Sequence, residues 1–212
     1  MGDTVKVLVA CEFSQVVTRA FRDRGHEAYS CDILATEGNL DWHIQGDVLA
    51  HLDDGWDLMI AHPPCTHLTV SGARWFTEGK KPLHLREGAM EFVIKLWDAP
   101  IPKVCIENPV GVLSTQWRKP SQVIEPYMFG HPETKRTCLW LRNLPPLRWG
   151  DSPQLAFADK SPPTTQYVKA EMEALPPKER HRIWWLGSGK GKERSVTYQG
   201  IAQAMAEQWG NE

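Results

Sequence analysis

Short apolar runs alternate with segments of helical spacing along the first half of this chain, and each run ends in polar or reactive residues. Few architectures accept that pattern. Lys6-Val7-Leu8-Val9-Ala10-Cys11 reads as a buried parallel strand. Ser14 is placed to cap a helix from Gln15 to Arg24, whose apolar stripe is Val16, Val17, Ala20 and Phe21 and which Gly25 ends. Glu27 to Cys31 then forms a second strand, closed by Asp32, and a third strand or turn precedes Gly46-Asp47. Asp57-Leu58-Met59-Ile60-Ala61 is a further buried strand, Leu85 to Trp97 a helix, and Lys103-Val104-Cys105-Ile106 a strand running into Glu107-Asn108-Pro109. The pattern predicts an α/β fold with a doubly wound, mostly parallel sheet and right-handed crossovers. In such a sheet, ligands bind at the carboxyl ends of the strands.

From about residue 120 the texture changes. Val123 to Phe129 and Thr137 to Leu141 read as antiparallel strands joined through Gly130 to Arg136. Residues 143 to 165 are loop, rich in Pro, Ser and Asp. Lys169 to Leu175 and Lys178 to Trp185 read as short helices, Gly187 to Lys192 as a flexible basic loop, and Ile201 to Trp209 as a closing helix. This divides the chain into an α/β core (1-119), a small strand and loop region (120-193) and a closing segment that returns to the core (194-212). The 212 residues suit one domain with a small appendage. A net charge of −2 gives no strong field for a polyanion, so any nucleic-acid contact must come from local basic patches. Five cysteines without a CxxC pair predict neither a zinc site nor a thioredoxin-type dithiol, and no metal is expected. An odd cysteine count, no signal peptide and no apolar run of membrane-spanning length predict a reduced, cytoplasmic protein.

Cys65 lies in Ala61-His62-Pro63-Pro64-Cys65-Thr66, directly after a buried strand. Most cysteines are structural. This one is presented on the ligand edge by two stiffening prolines, with Thr66, His67, Thr69 and Ser71 following, a setting in which a thiolate can react. Glu107 stands on the same edge one βα unit later, held by Asn108-Pro109. A lone Glu there is most often a solvated residue or a cap. Beside a thiolate, its carboxyl group suits a reaction in which a ring nitrogen is protonated as the ring is attacked. At the other end of the edge, Asp32 is placed for ribose hydroxyls, Asp47 for an adenine amino group and Phe13 for stacking. Asp47 alone would be a turn residue. No GxGxxG follows the first strand, which argues against a dinucleotide pyrophosphate site.

Taken in order, these segments resemble the motifs of the cytosine-C5 DNA methyltransferases. The turn Phe13-Ser14-Gln15, the strand end Asp32, Gly46-Asp47, Pro63-Pro64-Cys65, Glu107-Asn108-Pro109 and the closing Arg194-Ser195 to Gly200-Ile201-Ala202 all carry the resemblance, which spans nearly the whole chain. The stretch Gly130 to Leu141 is similar to one found in small bacteriophage-type members without a large target-recognition domain. The resemblance implies a Rossmann-like methyltransferase fold and an enzyme that moves a methyl group from S-adenosyl-L-methionine to C5 of cytosine in DNA. Cys65 would attack C6 covalently, Glu107 would contact N3 and the amino group, and Arg136, with Lys135, would touch base or phosphate. Phe13, Ser14, Asp32, Asp47, Pro63 and Ser195 would hold the cofactor. A phage-encoded enzyme would work in the cytoplasm of a bacterial host.

The match departs from the family in three places. Gln15 stands where glycine is usual, Lys135-Arg136-Thr137 replaces a Gln-x-Arg-x-Arg pattern, and only about 50 residues separate that motif from the closing helix. Sequence readout needs several side chains at base edges, and extruding a base from a duplex costs a few kcal/mol. The partner is therefore duplex DNA, single-stranded DNA or a free pyrimidine nucleotide, with a protein partner a further option for target recognition. Arg142, Arg148, Trp149, Arg180, His181, Arg182, Trp184, Trp185, Lys190, Lys192 and Arg194 mix cations with aromatics, which suits phosphate contact plus stacking or, equally, an ordinary surface over core tryptophans. Two other functions stay open: C5 modification of a free nucleotide or transfer of a different group to DNA, and a non-catalytic nucleic-acid-binding protein on the same scaffold.

Overall fold

The computed structural model describes residues 3–69, 76, 78–149, 165–186 and 190–211. Its strands are β1 (Lys6–Ala10), β2 (Glu27–Asp32), β3 (His43–Gln45), β4 (Leu58–Ala61), β5 (Lys103–Pro109), β6 (Gln122–Ile124) and β7 (Thr137–Arg142). They form one sheet in the order β3-β2-β1-β4-β5-β7-β6. The first five are parallel, and β7 runs antiparallel to both β5 and β6. The doubly wound, mostly parallel sheet expected from the sequence is present. The antiparallel pairing of the two later strands is present as well, and both belong to the same sheet as the first five.

Alternate residues of the buried strands face opposite layers. Leu8 and Ala10 of β1 pack with Met59, Leu96, Val104 and Trp140 on one face. Val7 and Val9 pack with Phe21, Ile60, Leu139, Met205 and Trp209 on the other. The described helices are α1 (Val16–Arg22), α2 (Leu83–Trp97), α3 (Leu113–Gln116), α4 (Thr165–Ala174), α5 (Pro177–Arg180), α6 (Arg182–Trp185), α7 (Gly191–Ser195) and α8 (Gln199–Trp209), of which α2 and α3 pack on the first face and α1 and α8 on the second. The closing helix α8 returns to lie against α1, and its Trp209 is fully buried, the indole N–H donating to Pro145 O at 3.0 Å. Among the described residues no helix is long and apolar enough to cross a membrane.

Local chemistry moved several boundaries. The strand expected from Val123 to Phe129 stops at Ile124, because Pro126 cannot donate to a ladder and opens a 3-10 turn, Pro126–Phe129. The single helix expected from Lys178 to Trp185 is two, broken at His181. Ser14 does not cap α1. The N-cap is Gln15, and the carboxylate of Glu12 accepts from Val17 N at 2.7 Å, Thr18 N at 3.2 Å and Thr18 Oγ1 at 2.7 Å. A buried carboxylate satisfies the exposed donors of the first turn and complements the helix dipole, so the serine is not needed. The helix expected from Lys169 begins earlier, at Thr165. Ser71, Gly187 to Gly189 of the expected basic loop and residues 150–164 of the expected long loop lie outside the described residues.

Candidate active site

Parallel pairing aligns the residues that follow each apolar run. Ala61 of β4 is in register with Ile106 of β5, so the next residues, His62 and Glu107, stand side by side. His62 Nδ1 donates to Glu107 Oε2 at 2.6 Å, and the two side chains are only 8% and 10% exposed. Burial pushes the Glu107 carboxyl group up. The hydrogen bond and charge of His62, helped by Lys135, outweigh that and hold it below the usual carboxylate range. The other ring nitrogen, His62 Nε2, is buried without a hydrogen-bond partner.

The Pro63-Pro64-Cys65 loop is pinned from β5. Asn108 Nδ2 donates to Pro63 O at 2.8 Å, while Asn108 Oδ1 is buried and unpartnered. Leu68 N and Thr69 N both donate to Cys65 O, at 3.0 and 3.1 Å, folding the loop back on itself. Val112 N then donates to Leu68 O at 2.8 Å, and Gly111 allows this approach because a Cβ there would overlap that carbonyl oxygen. Cys65 is half-buried. Burial raises its thiol pKa and the Glu107 charge adds to this. Lys135, Arg194 and a backbone hydrogen bond oppose it without reversing the direction. The resting group is a thiol.

Cys65, Glu107, His62 and Asn108 line a slot of about 90 Å³ together with Ser14, Pro63, Lys135, Arg194, Ser195 and Thr197. Such a volume has room for a few waters or the edge of a small ring rather than for a nucleotide. Cys11 and Pro64 line this slot and also a second cavity of about 540 Å³. The larger cavity is walled by Asp32, Asp47, Ile33, Val48, Leu85 and Phe92, and its lining includes His67, whose Nδ1 is buried and unpartnered. The Oδ1 of Asp32 accepts from Leu34 N at 2.8 Å and that of Asp47 from Leu49 N at 3.0 Å, turns that fix both carboxylates. On the floor, burial and the neighbouring aspartates push Cys11 up to about 12 and Cys31 up to about 11, which makes both poor nucleophiles.

Gln15 is fully buried and points away from both cavities. Its backbone is left-handed (φ 58°), where glycine is the usual residue. Its side chain donates to Ser30 Oγ (3.1 Å) and Asn39 O (2.8 Å) and accepts from Asn39 N (2.7 Å). A Cβ at Gly38 would overlap Gln15 Oε1. The residue thus ties the loop after β2 to the first turn.

The structure brings Cys65, Glu107, Ser14, Pro63 and Ser195 to the slot, and Asp32 and Asp47 to the larger cavity. Phe13 is buried and lines neither; Lys192 Nζ lies 5.0 Å from its ring centre. Arg136 is not in the slot: its side chain is 70% exposed and pairs with Glu125 at 3.5 Å in a neighbouring groove, whereas Lys135 lines both. His62 was not singled out by sequence reasoning, which gave Asn108 only the holding of Glu107, yet the signal for His62 was there, since it is the first polar residue after its apolar run just as Glu107 is after the next. Of the cation and aromatic set, Arg142 is structural, its guanidinium held by the carbonyls of Trp97, Ala99 and Ile101 at the end of α2. Trp149 packs on Phe129. Trp184 and Trp185 remain exposed.

No protein-family model matches the chain, and no curated protein does. Among solved structures, one described as a candidate DNA modification methyltransferase encoded within an E. coli prophage aligns over 65% of this chain and 46% of its own, with a TM-score of 0.42 and 12% identity.

Proposed function

We propose that this chain methylates C5 of cytosine in DNA, with S-adenosyl-L-methionine as donor and Cys65 as covalent nucleophile. The observation that carries the reading is the slot itself. A cysteine and a buried, partnered carboxylate share it with two residues whose buried polar atoms, His62 Nε2 and Asn108 Oδ1, have no partner, and across Cys11 and Pro64 it adjoins a nucleoside-sized cavity. Buried unpaired polar atoms cost about 1–3 kcal/mol each, and a polar ring with donors and acceptors on its edge relieves that cost. The residues of the larger cavity fit the cofactor: two fixed carboxylates for ribose hydroxyls and the adenine amino group, apolar and aromatic walls for the purine, and a volume within the usual range of about 300–1,000 Å³. When bound, S-adenosyl-L-methionine supplies the methyl group.

The residues divide the work as follows. Lys135 and Arg194 favour the thiolate that Cys65 must become before its sulfur bonds to C6. Addition at C6 places negative charge in the ring, and that charge is relieved by a proton at N3. Glu107 sits below the usual carboxylate range and so rests ionised; it takes up a proton from solvent as the base binds, passes it to N3 as C6 is attacked and takes it back when the ring is restored, while His62 Nδ1 holds the carboxyl group in place across the 2.6 Å hydrogen bond. After C5 is alkylated, loss of its proton and departure of the Cys65 sulfur restore the aromatic ring.

The test is transfer of label from S-adenosyl-L-methionine to duplex DNA, single-stranded DNA and dCMP, with Cys65→Ser alongside. Label in DNA that disappears in the variant is the expected result. Label only in dCMP would move the reading to nucleotide modification, and no transfer to any acceptor would overturn it. DNA containing 5-fluorocytosine should trap a covalent adduct through Cys65, because fluorine at C5 blocks the last elimination.

A further inference from the structure

Beside the slot lies a groove of about 730 Å³ bounded by Val110, Lys135, Arg136, His181, Trp184, Trp185 and Arg194. Lys135 and Arg194 line the groove and the slot alike, so the two adjoin. Trp184 is 77% exposed and Trp185 57%, although a free indole face in water is an unfavourable use of so much apolar area. Lys178 Nζ lies 5.8 Å from the Trp185 ring centre. The carboxylate that lines the groove, Glu125, is already engaged, accepting from Lys135 N at 2.9 Å and pairing with Arg136 Nε at 3.5 Å. The groove thus offers flat aromatic faces with cations at their margins, beside the slot that holds Cys65.

We infer that this groove seats single-stranded DNA, with unpaired bases stacked on Trp184 and Trp185 and phosphates on Arg136, Lys135 and Arg194, so that the target base enters the slot without a duplex being opened. This rests on the methyltransfer reading for the identity of the polymer. The choice of a single strand rests on the groove. In a duplex the base faces are covered by stacking and cannot meet an exposed indole, whereas every unpaired base presents one. Reading a duplex requires an element set into the major groove, and the element carrying these indoles, α6, is a four-residue turn of helix. Feeding the slot from an unpaired strand also avoids the few kcal/mol that base extrusion costs.

The test measures binding separately from transfer. Fluorescence anisotropy of a labelled cytosine-containing 12-mer would be compared among the single strand, its duplex and the RNA of the same sequence, using Cys65→Ala as the parent so that chemistry does not contribute. The single strand should bind most tightly. Replacing both indoles (Trp184→Ala with Trp185→Ala) should weaken it by about tenfold or more, in keeping with the usual worth of base stacking. The pair Trp184→Phe with Trp185→Phe should restore much of the loss, which a fold defect would not, and Arg136→Ala should weaken binding while flattening its salt dependence. Equal or tighter binding of the duplex or the RNA, or no loss in the double alanine variant, would overturn the inference. Single-strand binding without any methyl transfer would leave the groove assignment standing and remove the methyltransfer reading.

Discussion

Glu107 lies between two groups with opposite needs. His62 and Lys135 gain from its charge, while Cys65 is held as a thiol partly because of it. Neutralising the carboxylate should therefore separate reactivity from turnover. In Glu107→Gln, the pH midpoint for alkylation of Cys65 by iodoacetamide should fall relative to the parent, while methyl transfer is lost. In Lys135→Met the midpoint should rise. Peptide mass spectrometry of the Cys65 adduct reads both, and an unchanged or raised midpoint in Glu107→Gln would refute the electrostatic account. The stability linkage has a definite sign. The folded carboxyl group is depressed, so its contribution is complete above the unfolded value, roughly 4.3, and is lost as pH falls through the folded value. The stability gap between parent and Glu107→Gln should be constant near neutrality and shrink in acid, as followed by thermal unfolding between about pH 3 and 7. Cys65 and Glu107 were legible in the sequence because each ends an apolar run, and strand ends are where a parallel sheet presents side chains. The orientations of Phe13 and Arg136 were not, because no spacing rule says which way a loop residue turns.

Between elements, the most specific coupling joins Gln15 at the N-terminus of α1 to Gly38 in the loop after β2. Gln15 accepts a left-handed backbone and spans to Asn39 in both directions, and the missing Cβ at Gly38 gives it room. Gly38→Ala alone should cost about 1–3 kcal/mol, the usual range for overpacking. In a Gln15→Gly background, where the obstructing amide is gone and the backbone strain is relieved, the same change should cost much less. A double-mutant cycle by chemical denaturation should give an interaction energy above about 0.5 kcal/mol, and simple additivity would exclude the coupling. This also explains why the departure from glycine at position 15 leaves the cavities untouched: the longer side chain is absorbed away from them. The existence of strands and helices was largely legible from periodicity, while their ends were set by single residues such as Pro126 and Glu12. The insertion of β7 between β5 and β6 was not legible, since strand pairing over such separations leaves no local signature.

At the scale of the molecule, a net charge of −2 puts the burden of any polyanion contact on a small local set, Lys135, Arg136 and Arg194. The logarithm of single-strand affinity should thus fall with that of salt with a slope of only about −2, the value for some three neutralised phosphates, as measured by anisotropy between 50 and 200 mM salt. A much steeper slope would place the contact surface elsewhere. The strand order has a further consequence, in time rather than in space. β6 precedes β7 in the chain but lies outside it in the sheet, paired among the described strands with β7 alone, so it joins the sheet only through β7. Contacts local in sequence form first as a rule. The β1-α1-β2 unit and the β6-β7 pair should therefore close early, and the long-range pairings of β4 with β1 and β5 should close late. Buried cysteines on three strands, Cys31 on β2, Cys105 on β5 and Cys138 on β7, form a built-in clock for that order. In a pulse of thiol reagent during refolding, Cys31 should be protected first and Cys105, whose strand partners Ile60 and Leu141 are the most distant in sequence, last. Burial is the largest cause of the raised Cys65 thiol pKa, so a partly folded chain presents that thiol to the same reagent more readily than the finished sheet does, and folding itself quiets the cysteine.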